Sequence, residues 1–139
     1  MNNNTLIGLA AAAFSLLFVF FAPQDKSEVN ALVESTMAIH DAAMAEMGEM
    51  NRLSRALQRQ LTTLDSLAPQ ADSVRVVLRS IKRAEEDMFD WMRGYEAPAA
   101  DMPAEEALRY LKGQHAAISQ NQRDIRAAIE AGKQLQRHR

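Results

Sequence analysis

His40 and four methionines, Met37, Met44, Met47 and Met50, crowd the stretch MAIHDAAMAEMGEM. Thioether sulfur and imidazole nitrogen are the donors that suit Cu(I), and a helical bundle core is also a usual seat for haem. Met37, His40, Met44 and Met47 are three, four and three residues apart, so one side of a helix carries them all. Met88, Met92 and Met102 are further methionines that a folded chain can bring to a similar level. The candidate metal set is His40, Met44, Met47 and Met92, for copper(I) or haem. The competing reading is a core seam, since Met fills irregular gaps in helical cores. The same stripe continues as Leu53, Leu57, Leu61 and Leu64, which favours the seam.

Other chemistries find less support. The chain has no Cys, which removes disulfides, thiolate ligands, thiol catalysis and lipidation of an N-terminal Cys. Glu85, Glu86 and Asp87 are consecutive, but no Glu stands three residues before a His, as di-iron bundles require. The serines Ser35, Ser54, Ser73 and Ser119 have no recognisable His–acid companions, and there is no Gly-rich phosphate loop. The sequence points away from an enzyme. A net charge of −2 gives no electrostatic reason to expect nucleic acid.

Two kinds of segment have to position these residues. Thr5 to Ala22 is apolar and carries no charge; as a helix its roughly 18 residues span about 27 Å, near the lower limit for crossing a bilayer. The expectation for residues 1–24 is an uncleaved transmembrane anchor. A cleaved signal peptide and a buried helix are the alternatives. Two features weaken cleavage: no Lys or Arg precedes the run, and Phe20 and Pro23 flank the best site, after Ala22. The anchor places the remainder on the periplasmic side of an inner membrane, in the cell envelope.

Residues 25–139 read as all-α. Helix formers dominate, aromatics make up 6% of the chain, and the few prolines sit at boundaries. Apolar spacings of three and four predict helices over about 25–67, 70–95 and 103–136. Pro69 is expected to end the first, and Asp101 to cap the third. Short connections give an up-down-up antiparallel three-helix bundle with a long first helix, preceded by the N-terminal hydrophobic transmembrane or signal helix. Reflection about Pro69 and Ala99 sets Met47 level with Trp91, and Met92 level with Glu106. It also sets His115 over about 20 Å from His40, too far to share an ion. On this register helix one projects beyond the bundle before Met44. The apolar stripe of that stalk needs cover from the 96–103 link, from a protein partner or from a second copy.

Around Trp91 the sequence reads MFDWMRGYE. Trp91 and Tyr95, i and i+4, suit an aromatic plug over the end of the core. The alternative is a docking surface made of Met37, Phe89, Trp91, Arg93 and Tyr95.

Three runs, MAIHDAAMAEMGEMNRL, EEDMFDWMRGYEAP and MPAEEALRYLKGQ, resemble a group of small exported bacterial helical proteins. Many are lipoproteins, and they often carry the label viral A-type inclusion protein. The resemblance spans about Met37 to Gln114 and implies a helical, membrane-associated envelope protein without an assigned activity. The chain departs from that group twice. Where a lipobox Cys would stand it reads FFAPQDK, so attachment falls to the hydrophobic helix. Arg93 follows Trp91–Met92 where relatives carry His, and Arg is not a usual metal ligand.

Overall fold

The computed structural model describes residues 26–137, and every element among them is an α-helix: α1 (Lys26–Thr63), α2 (Pro69–Gly94) and α3 (Ala104–Arg137). The anchor expected over residues 1–24 lies outside the described residues. None of the described helices is long and apolar enough to cross a membrane.

The three helices pack along lines that repeat every seven residues. Thr36, Ala43, Met50 and Leu57 on α1 are all fully buried, as are or nearly are Val74, Ile81 and Met88 on α2 and Leu111, Ile118 and Ile125 on α3. A seven-residue repeat slightly underwinds each helix, which keeps the line facing its neighbours in coiled-coil fashion. On α1 the central line therefore runs through Thr36 and Ala43, one residue away from the larger Met37 and Met44 of the expected stripe. Small side chains suit that line because Met88, Leu111 and Ile118 bring the volume from the other two helices.

Helix α1 stops four residues earlier than expected. The Asp65 carboxylate accepts the Leu67 N–H at 3.0 Å, and the Asp65 carbonyl accepts that of Ala68 at 3.0 Å. Asp commonly turns the chain in this way. Pro69 begins α2 instead of ending α1. At the first helical position its missing N–H costs nothing and its φ is already helical. The reflection point moves to about Ser66, and the register moves with it. Trp91 lies against His40, two turns from the expected Met47. Beyond α2, the Tyr95 N–H closes on the Trp91 carbonyl at 2.9 Å and the backbone turns extended. Helix α3 opens after Pro103, whose carbonyl accepts the Ala107 N–H at 3.0 Å. Asp101 falls two residues short of that end and does not occupy the cap position.

Helix α3 returns parallel to α1. A methyl group at Gly132 would stand 3.4 Å from Leu53 Cδ1 and 3.7 Å from Leu57 Cδ1, so these backbones approach closely. Along the flank the Arg126 guanidinium donates to both oxygens of Glu46, at 2.7–3.0 Å, and Lys133 Nζ lies 2.9 Å from Glu49 Oε1. Helix α1 packs more extensively on α3 than on α2. Both α1 and α3 run past the end of α2, so the first turns of α1 are flanked by the start of α3, where Ala107, Leu108 and Leu111 are buried. The link joins them there: Lys26 Nζ donates to the Ala100 carbonyl at 3.2 Å. Within the chain the stalk is thus partly covered: Thr36 and Ala43 are buried, while Val29, Leu32, Val33 and Met37 are half-buried.

Candidate functional site

Four rings form a ladder where α2 ends. The His40 ring stacks on Trp91 with centroids 5.5 Å apart and planes at 28°. Trp91 stacks on Tyr95 at 4.8 Å and 23°, and Tyr95 on Tyr110 at 6.5 Å and 26°. The ladder steps from α1 through α2 to α3. Offset stacking of this kind adds to what burial alone contributes. Its ends are tethered: His40 Nδ1 lies 2.9 Å from Asp41 Oδ1, and the Tyr110 hydroxyl accepts the Glu96 N–H at 3.0 Å. Its middle is not, for Trp91 Nε1 and the Tyr95 hydroxyl are buried without a hydrogen-bond partner among the described residues. Burial, and then the neighbouring Tyr110, raise the Tyr95 pKa above its ordinary value.

The expected site residues divide between inside and outside. Met47 is buried in the core, Met37 and Met92 are half-buried against it, and Met44 is exposed. The sulfurs of the candidate metal set are therefore spread from core to surface along the α1/α2 side. Among the described residues no three His, Asp or Glu side chains are grouped to hold a metal ion. His115 changes place most. Gly132 faces Leu53 and Leu57, so the same register sets His115 level with the turn from Thr36 to His40, about one turn or less away along the axis. The expected separation of over about 20 Å fails because both reflection points move: Asn121 Nδ2 donates to the Asp87 carbonyl at 3.1 Å, which centres the second reflection near Ala104 instead of Ala99. Of the expected docking residues, Trp91, Tyr95 and Met37 turn inward. Phe89 remains outside, and so does Arg93, which bonds Asp90. Met44 and Phe89 each follow a buried seam residue, Ala43 and Met88, so they stand at one level.

A second feature is spread along the bundle. Before Met50, α1 carries Glu28, Glu34, Asp41, Glu46 and Glu49; after it come Arg52, Arg55 and Arg59. On α2 the order is reversed. Arg75, Arg79, Lys82 and Arg83 precede Ala84, and Glu85, Glu86, Asp87 and Asp90 follow it. Because α2 is antiparallel to α1, like charges align. The end near the link is acidic and the far end is basic. The net charge of −2 averages over two opposed halves and conceals them. The blocks on α2 were legible in sequence, but their alignment with those on α1 needed the register.

No protein-family model, curated protein or solved structure matches this chain.

Proposed function

We propose that this chain is a non-catalytic helical interaction or accessory module of the cell envelope, tethered to a membrane through Thr5–Ala22, with the bundle on the periplasmic side. The observation that carries the reading is the junction of the two segments: an uncharged apolar run of spanning length stops just before α1 opens at Lys26. Helix α1, with 38 residues, extends about 57 Å from that junction. Phe89 and Met44 offer the exposed apolar surface a partner would cover.

Fractionation of cells producing the full chain tests the tether. The protein should stay in the membrane pellet after alkaline carbonate washing, and deletion of residues 1–24 should release it. Protease should reach it once the outer envelope is permeabilised. Recovery of the full chain in the soluble fraction with an intact N-terminus would overturn the reading. Loss of the leader from the mature mass would make the module soluble and periplasmic.

A further inference from the structure

The charge order on α2 has a symmetry that a second copy satisfies. Arg79, Lys82 and Arg83 mirror Asp90, Asp87 and Glu86 about the boundary between Ala84 and Glu85. These groups are available. The side chains of Lys82, Arg83, Glu86 and Asp90 are 74%, 84%, 60% and 66% exposed. Two of their bonds within the chain are loose, Lys82–Glu86 at 3.5 Å and Arg83–Asp87 at 3.9 Å, while Asp90 is held by Arg93 three residues on. Exposed pairs of that kind are weak and salt-sensitive, so they exchange readily. Arg79 and Glu85 take part in no ion pair among the described residues.

We infer that two copies of this chain pair antiparallel through the outer face of α2, about a two-fold axis between Ala84 and Glu85. Reversing one α2 against another sets Arg79 against the partner subunit's Asp90, Lys82 against the partner subunit's Asp87, and Arg83 against the partner subunit's Glu86. The two-fold repeats all three contacts, as an isologous interface must. The helices overlap from about Arg75 to Gly94, roughly 30 Å. A parallel pair would set like charge on like charge and is disfavoured. A net charge of −2 leaves little overall repulsion to oppose association. A polyanion would satisfy the basic half alone, whereas a second copy satisfies both. The axis reverses α1 as well, so the Lys26 ends of the two bundles point in opposite directions. The inference does not depend on the tethered-module reading and applies to chains not anchored side by side in one bilayer, since a shared membrane would hold both Lys26 ends at the same level.

The test uses the full chain in mild detergent. Light scattering at low salt should give twice the 15.5 kDa chain mass, falling to one chain in about 1 M salt, where screening is complete within about 3 Å. The triple variant Arg79→Glu/Lys82→Glu/Arg83→Glu should be monomeric, and so should Glu86→Lys/Asp87→Lys/Asp90→Lys. Mixed, the two should form a one-to-one dimer, which also shows that both have folded. The absence of native Cys allows a geometric check. Glu86→Cys lies about 4.5 Å along the axis from its own mate and should cross-link, while Val76→Cys lies about 25 Å from its mate and should not. Monomer mass at low salt, failure of the mixed variants to pair, or equal cross-linking at both positions would overturn the inference.

Discussion

The ring of His40 on α1 rests on the face of Trp91 on α2, and this contact fixes how far the two helices slide past each other. Trp91 is the only Trp and is buried. Trp91→Ala should cost about 3–5 kcal/mol, the range for truncating a large buried aromatic. A double-mutant cycle with His40→Ala should leave a coupling of about 0.5–1.5 kcal/mol. Urea unfolding followed by helical circular dichroism gives both values. A coupling indistinguishable from zero would reduce the stack to mere proximity.

Tyr95 carries a buried hydroxyl with no partner among the described residues. Removing an unsatisfied polar group restores what its desolvation cost, so Tyr95→Phe should be neutral or stabilising by about 1 kcal/mol. The raised pKa supplies the sign of a pH effect. An unfolded Tyr ionises near pH 10, about where a free phenol does, while the folded one still holds its proton. Stability is full below that pH and declines as pH rises toward the folded value. Tyr95→Phe should flatten this part of the alkaline profile, and an unchanged profile would show that the hydroxyl finds a partner in solution.

Gly132 sits where α3 crosses Leu53 and Leu57, with ordinary contact distance left for one methyl group. Gly132→Ala should therefore stabilise the fold by about 0.5–1 kcal/mol through helix propensity. Gly132→Leu should destabilise it, because the extra volume meets a filled seam. Thermal melts of the two variants should move in opposite directions. A loss on Gly132→Ala would mean that α3 approaches more closely than its register implies.

Lys133 has its pKa raised mainly by its bond to Glu49. A cation with a raised folded pKa contributes stability that is complete below the unfolded value, near 10.4, and is lost as pH climbs through the folded one. Glu49→Gln should reduce that alkaline loss, leaving the part due to Glu130, and weaken the dependence on salt at neutral pH. A pH titration of the urea midpoint, in low and high salt, checks both signs.

The helices themselves were legible in sequence, because spacings of three and four leave few alternatives. The register was not. It turned on whether Pro69 ends one helix or starts the next, and proline suits both roles until the bonds around Asp65 decide. That choice moved Trp91 by two turns, and the link between α2 and α3, whose reflection point falls near Ala104 instead of Ala99, carried His115 the rest of the way to the His40 turn. The central line of α1 was misread for another reason. Hydropathy favours Met37 and Met44, whereas close packing selects the smaller Thr36 and Ala43. The i, i+4 spacing of Trp91 and Tyr95 already suits an inward plug, but their N–H and O–H, unpartnered among the described residues, depend on three helices meeting and leave no trace in local sequence.

The closer packing of α1 on α3 than on α2 bears on how the chain assembles during synthesis. The α1–α2 hairpin closes a link of only a few residues and forms early, but it leaves much of the α1 seam bare. The contact that fills the seam joins residues about 80 positions apart, such as Glu46 and Arg126. Loops of that length close slowly. A ribosome that has released α1 and α2 therefore presents an apolar groove for as long as α3 takes to emerge. Over that interval the nascent hairpin is a natural client for a holding chaperone.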